Sequence, residues 1–287
     1  TYEFQTAFIT TREKIGEVVK KICFEQAQKY SVRAKKIPIL PNVITYEMLK
    51  NDKNEKYHIA LGLDKNSLEP CYYNFQKNYI TLISFIEFSM VYSMLQALIK
   101  QIYFMNDSNV IVVNAEDENF NINLEECQYV NSRFNETFDS FVNFLQNEKK
   151  VFEENNHNKK VFQGKKKFCF VIIGVDSFKN KLNDENKTKF GTLFTLGKDL
   201  GIVYFLFVDT IDKLKKIEFE SWYKSEVNNN YGIYVGNGMN DQFVIKVSQK
   251  LEDMKKEVPD GFGFVVKRGR VQYLKFLEKF DEENKDI

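Results

Sequence analysis

The middle of the chain alternates between short apolar runs and longer segments whose apolar residues recur every three or four positions. The short runs have the length of buried strands, and the longer segments have the period of helices. Strands that are apolar throughout are typical of a parallel sheet covered by helices on both faces. The sequence therefore predicts a three-layer α/β domain whose core strands are residues 79–83, 110–113, 168–173, 202–208 and 231–235.

Helical spacing predicts a first helix from Thr10 to about residue 30, because Thr10 and Glu13 have the spacing of a capping box. One face of this helix carries apolar residues and is expected to be buried. The polar segment 148–167 predicts a long solvated loop. Further helices are predicted at 87–104, 132–148 and 187–200, and further strands at 57–63, 71–75, 243–247, 262–266 and 270–276.

The pattern divides the chain into three parts. Residues 1–36 hold a strand and the first helix, residues 37–277 form the α/β domain, and residues 278–287 are a charged tail. The segment 37–41 contains two prolines and is predicted to be an extended connector. A Gln follows an apolar residue both in 2–6 and in 269–273. If these strands are equivalent, residues 1–9 close a preceding related domain, and the chain is the last unit of a tandem array.

Composition excludes several classes of protein. The 287 residues include 41 Lys+Arg and 40 Asp+Glu, a net charge of +1 that disfavours a nucleic-acid binder. Four scattered cysteines and two histidines do not make a zinc site, and no apolar run reaches the roughly 18 residues of a membrane span. Aromatic residues make up 15% of the chain, which predicts either a phenylalanine-rich core or an exposed aromatic pocket.

An ATPase of this architecture carries a phosphate loop, G-x-x-x-x-G-K-[ST], between a core strand and the next helix. Here Ser84 and Ser89 have the spacing of the two glycines. Met90 replaces the lysine and Val91 replaces the hydroxyl residue, while Glu87 adds a negative charge. Loss of the lysine removes hydrogen bonds worth about 1.5–3 kcal/mol each. These five residues are predicted to be the remnant of a phosphate loop that does not bind Mg·ATP.

The second requirement is an acidic pair after an apolar strand, which holds Mg²⁺ and orients water. Gly174 and Val175 stand at those positions after the run 168–173, and Asp176 follows two residues late. Asp176 is either a helix N-cap, the interpretation that we favour, or a vestige of the acidic site. The sequence predicts no catalytic residue and no metal site in this domain.

Five short patterns occur in order along most of the chain. They are 37–41 (IPILP), 59–64 (IALGLD) with 68–70 (LEP), 197–202 (GKDLGI), 232–236 (GIYVG) with 241–242 (DQ), and 261–263 (GFG) with 270–272 (RVQ). Together they resemble the FtsK/SpoIIIE family of RecA-like ATPases. More narrowly, they resemble the last ATPase domain of the EssC/YukB type in type VII secretion.

The resemblance implies a RecA-like fold in an ATP-driven export motor, whose cytoplasmic domains follow a membrane anchor. ATP and Mg²⁺ would belong to other domains, and no cofactor is expected in this one. The implied partners are preceding ATPase domains of the same chain, small WXG-type secreted proteins and, in the full-length protein, a hexamer; no nucleic acid is implied.

In related proteins a substrate tail docks near the degenerate nucleotide site. By position alone, Phe85, Ile86 and Phe88 would bind it here, and burial in the core is the equal alternative. Two other functions stay open. One is an active ATPase domain that a neighbouring subunit completes on hexamerisation, and the other is a DNA translocase domain, which the charge balance disfavours.

Overall fold

A computed structural model describes residues 14–29, 39–49, 58–75, 78–105, 108–125 and 127–280. The chain divides into two compact units, residues 1–39 and 40–287. In the first unit, helix α1 spans Ile15–Lys29, and none of its residues is buried by the described part of the chain. The apolar spacing thus predicted the helix, and the burial of its apolar face stays a prediction. The capping box and the strand 1–9 lie outside the described residues.

Six parallel strands form the centre of the second unit, in the order β9-β4-β8-β7-β5-β6. The five predicted core strands are all among them, each within two residues of its expected bounds, and only β6 was missed. The bounds are β4 (Ile80–Phe85), β5 (Ser108–Asn114), β6 (Gln128–Val130), β7 (Lys167–Ile173), β8 (Val203–Thr210) and β9 (Tyr231–Val235).

An antiparallel extension continues the sheet beyond β9. Strands β10, β11, β2 and β3 follow in that order, with β3 at the edge, as the sequence predicted for residues 71–75. The short strand β1 pairs in parallel with β11. The bounds are β1 (Ile44–Thr45), β2 (His58–Asp64), β3 (Pro70–Asn74), β10 (Phe262–Lys267) and β11 (Arg270–Lys279).

Helices cover both faces of the parallel strands, which makes the unit a three-layer α/β/α domain. Alternate strand residues enter opposite cores: Phe170 packs with α4 to α8, and Val171 packs with α3. The helices are α2 (Tyr46–Leu49), α3 (Phe88–Met105), α4 (Phe134–Glu154), α5 (Val175–Lys181), α6 (Asp184–Leu200), α7 (Ile211–Ile217) and α8 (Ser221–Glu226). Two 3-10 helices span Lys159–Phe162 and Glu252–Lys255.

Two local predictions were wrong. The segment 148–167 is not a long loop, because α4 continues to Glu154 and a 3-10 helix follows. Phe152 anchors this extension, since its ring is buried and lies 5.7 Å from that of Phe162. Residues 243–247 do not form a strand. The Gln242 side chain there bonds both the N–H and the C=O of Ile245, so those groups are satisfied without a neighbouring strand.

Candidate functional site

The turn after the central strand β4 is much shorter than a phosphate loop. Strand β4 ends at Phe85 and helix α3 begins at Phe88, so that only Ile86 and Glu87 connect them. A phosphate loop needs several irregular residues, whose N–H groups point inward around the phosphates. The sequence spacing predicted a loop that keeps the backbone architecture of a phosphate loop and lacks its binding side chains. The structure corrects this, because the two-residue turn does not have that architecture.

The residues predicted as phosphate-loop remnants belong to regular structure. Ser84 is the fifth residue of β4, fully buried, and its Oγ has no hydrogen-bond partner in the described chain. Ser89, Met90 and Val91 lie in the first turns of α3, where Val91 is fully buried and Ser89 is exposed. Glu87 is exposed in the turn. That these five positions descend from a phosphate loop stays a prediction.

The three aromatic and aliphatic candidates separate into two kinds. Phe85 and Phe88 are 5% and 8% exposed, and their rings meet edge to face at 5.6 Å. Phe88 also packs edge-on against Phe120 at 5.8 Å. Both rings therefore contribute to the core, which was the open alternative. Ile86 differs from them, because 47% of its surface is exposed.

Apolar side chains fill the space above the turn. Gly236 follows β9 with φ +107°, and a Cβ built there would lie 3.2 Å from Ile86 Cδ1 and 3.3 Å from Met90 Sδ. Ile86 and Met90 therefore pack directly against the backbone of the β9 end. In a nucleotide site of this fold, the phosphates would occupy the space between the turn and the strand ends.

The end of β7 carries no acidic pair. Gly174 is the N-cap of α5 in the left-handed conformation, and Asp176 lies inside the first helical turn. The N-cap role favoured for Asp176 was therefore wrong by two positions, and its role as a vestige of the acidic site stays a prediction. A Cβ at Gly174 would overlap Cγ and the carboxylate of Glu116, so the glycine makes room for that side chain.

A cluster of charged residues, missed from the sequence, lies beyond the ends of β5, β7 and β8. Glu116 follows β5 and accepts hydrogen bonds from Ser177 Oγ on α5 and from Lys213 Nζ on α7. Asp209 lies near the end of β8 and is 2% exposed. We call Glu116, Ser177, Asp209 and Lys213 the strand-end cluster.

Asp209 has the most unusual environment in this cluster. Its carboxylate accepts hydrogen bonds from Val175 N at 3.0 Å and Thr210 N at 2.9 Å, so it caps the start of α5. Burial raises the pKa of Asp209 to about 7, against the opposing effect of Lys213, and Glu116 raises it as well. The rule that parallel strands end at one edge of the sheet would have pointed to Asp209 and Glu116, since both follow apolar strands.

These residues do not fit the magnesium and nucleotide of an ATPase. The Glu116 carboxylate is already paired with an ammonium group and a hydroxyl, and the β4–α3 turn offers no ring of N–H donors. Within the described ranges, no group of three or more His, Cys, Asp or Glu side chains could hold a metal ion.

An open crevice adjoins the turn at the ends of β4, β8 and β9. Its volume is about 340 Å³, and Phe85, Ile86 and Tyr234 form its apolar part. Asp212 and Asp241 line it as well, and burial together with these carboxylates raises the pKa of Tyr234 to about 12. Ligands of open α/β sheets bind at such strand ends, where the strand order reverses. The crevice can receive an apolar side chain next to polar groups.

No helix among the described residues has both the length and the apolar content to cross a bilayer. No protein-family model matches the chain, and no curated protein matches it in sequence.

Solved structures do match, and they decide the fold. EssC (ATPases 2 and 3) from Geobacillus thermodenitrificans superposes with a TM-score of 0.68 at 15% identity, over 94% of this chain and 51% of that one. The fold is that of a RecA-like ATPase domain. The cytoplasmic domain of EssC gives a TM-score of 0.66 at 14% identity, over 96% of this chain and 55% of that one.

A third matching structure contains a bound peptide. Thermomonospora curvata EccC (ATPases 2 and 3), solved in complex with a signal sequence peptide, gives a TM-score of 0.61 at 14% identity. The match covers 94% of this chain and 49% of that one. The present chain thus spans about half the length of these relatives. It resembles the EssC and EccC ATPase domains in fold, as its sequence patterns predicted.

Proposed function

We propose that this chain is the last cytoplasmic ATPase-like domain of a type VII secretion motor protein, and that it does not hydrolyse ATP. The two-residue β4–α3 turn carries the proposal, because it leaves no loop that could surround a triphosphate. Ile86 and Met90 reinforce it by packing on Gly236. The resemblance in fold to EssC and EccC ATPase domains supports the secretion context.

We further propose that the domain recognises an export substrate, or regulates the adjoining motor domain, through the strand-end crevice. The crevice lies where a RecA-like domain binds its ligand, and Ile86 offers an exposed aliphatic surface inside it. The EccC relative was solved with a signal sequence peptide, which makes a peptide the reasonable class of ligand. The substrates proposed are small WXG-type secreted proteins.

The remaining parts of the proposal concern the whole protein. Other ATPase domains would precede this one, behind a membrane anchor, and the assembled protein would be a hexamer. The relatives with two ATPase domains in one chain support the tandem arrangement, since this chain matches about half of each.

The test is peptide binding to a crevice variant. Ile86→Glu places a carboxylate beside Asp212 and Asp241 and removes the aliphatic surface, so affinity for a synthetic C-terminal peptide of a WXG-type protein should fall at least about tenfold. Fluorescence anisotropy measures this. Val151→Glu, a change at a 38% exposed apolar residue of α4, is the control and should leave the affinity unchanged. Equal binding by both variants would contradict the proposed site.

A further inference from the structure

The strand-end cluster connects four elements, and the Lys213 ammonium group joins it through Glu116. Glu116 belongs to the segment after β5, Asp209 to the end of β8, Ser177 to α5 and Lys213 to α7. Glu116 bonds both Ser177 and Lys213, and Asp209 holds the first N–H of α5. The side chains of Lys213 and Glu116 are 32% and 18% exposed, so water screens this ion pair only in part.

The position of the Lys213 ammonium group can be compared with that of the metal ion in an ATPase. In nucleotide-hydrolysing proteins of this class, acidic side chains at the strand ends near the phosphate loop hold a divalent cation. Here β7, which is separated from β4 by β8, ends at Ile173, and the carboxylate of Glu116 lies over the following Gly174. Lys213 then supplies the positive charge that this carboxylate and Asp209 face. An ammonium group has three N–H donors and suits carboxylate oxygens, as a cation does.

We propose that Lys213 takes the place of the divalent cation of a RecA-like ATPase and holds the ends of β5, β7 and β8 in one state without metal or nucleotide. This proposal rests on the absence of ATP hydrolysis proposed above and explains how the site stays assembled. In nucleotide-hydrolysing switch proteins, contacts with the γ-phosphate and Mg²⁺ order segments that are released after hydrolysis. In this domain, side chains of the chain itself tie α5 and α7 to Glu116 and Asp209.

Removal of Lys213 should therefore allow a cation to bind in its place. In Lys213→Met, the Glu116 carboxylate loses its ammonium partner and Asp209 loses a nearby positive charge, and hard divalent ions prefer such oxygen ligands. The probe is Mn²⁺, measured by the EPR signal of the free ion and by thermal unfolding of the whole chain. We expect Lys213→Met to bind Mn²⁺ at least about tenfold more tightly than wild type, and Mn²⁺ to raise its Tm.

Two further variants serve as controls. Lys215→Met removes a lysine from the same helix that pairs with Asp212 at 3.4 Å, and it should respond to Mn²⁺ no more than wild type. Glu116→Gln combined with Lys213→Met should lose the acquired binding. If wild type binds Mn²⁺ as tightly as Lys213→Met, or if neither variant nor wild type responds, the proposal is wrong.

Failure of Lys213→Met to fold would also be decisive. An unpaired, partly buried carboxylate is strongly destabilising, and removal of both charges relieves it. Folding of the double variant, or rescue of Lys213→Met by Mn²⁺, therefore supports the proposal, and failure of both contradicts it. Lys215 lines the crevice, whereas the variants of Lys213 and Glu116 leave Ile86 and the crevice acids unchanged. A loss of peptide binding by wild type would contradict the proposed function and would leave the cation result as it stands.

Discussion

The combined changes Ser84→Gly, Ser89→Gly, Met90→Lys and Val91→Thr will not give this domain Mg·ATP binding. They restore every residue type that the phosphate-loop pattern requires. The backbone, however, passes from β4 to α3 in two residues, and the N–H groups of Ser84 and Val91 belong to a strand and a helix. Residue type alone does not lengthen the turn.

The same variant should also lose stability. Val91 is fully buried, and a threonine there buries a hydroxyl group in an apolar core, which costs about 1–3 kcal/mol. Glycine at the exposed position 89 in α3 costs up to about 1 kcal/mol more. We expect the free energy of unfolding to fall by about 3 kcal/mol in urea titrations. Ser89→Gly alone is the control for the helix effect, and micromolar binding of Mg·ATP by the combined variant would contradict the prediction.

The second large effect is a pH dependence of stability caused by Asp209. Its pKa is raised to about 7 in the folded chain, mainly by burial, and is near 4 in the unfolded chain. The folded state therefore binds one more proton than the unfolded state between these values. Stability from this group is complete below about pH 4 and is lost as the pH rises to about 7, with a slope of up to about 1.4 kcal/mol per pH unit.

Asp209→Asn isolates this contribution. The amide removes the titration, so the difference in unfolding free energy between wild type and Asp209→Asn should change with pH from 4 to 7 and become constant above that range. The total change is up to about 4 kcal/mol in favour of the variant at high pH. Relative to the ionised carboxylate, the amide keeps one acceptor for Val175 N or Thr210 N and loses the other, which reduces the variant's advantage at high pH by about 1 kcal/mol.

Urea unfolding of wild type and variant between pH 4 and 8 provides the measurement. Asp139→Asn removes an exposed carboxyl group from α4, and its curve should run parallel to that of wild type. A difference between wild type and Asp209→Asn that is the same at every pH would show that Asp209 does not titrate in this window.

The parallel core strands could be predicted from the sequence because each has a mainly apolar centre. Val171 and Phe170 enter different cores, so the residues from Cys169 to Ile173 are all buried and form a continuous apolar run. Strand β6 was missed for the opposite reason. It has three residues at the sheet edge, and Gln128 and Tyr129 are exposed, so no apolar run marks it.

The β4–α3 turn shows the limit of motif spacing. Ser84 and Ser89 are five positions apart in the sequence, as the glycines of a phosphate loop are, but spacing does not report where a strand ends. The end of the strand and the start of the helix are at Phe85 and Phe88, whose rings are both buried in the core.

The strand-end cluster shows a different limit. Glu116 and Lys213 are 97 positions apart, and no local pattern pairs them. The topology does so, because β5, β7 and β8 are neighbours whose ends lie at the same edge of the sheet. Reasoning from strand ends would have found Glu116 and Asp209, whereas the partnership with Lys213 required the fold.

Calorimetric titration of the wild-type chain with Mg·ATP tests the central claim most directly. The account predicts no saturable heat up to millimolar nucleotide, because neither the turn nor the strand-end cluster has groups free to hold a triphosphate and its metal ion. Stoichiometric binding with a micromolar Kd would contradict it.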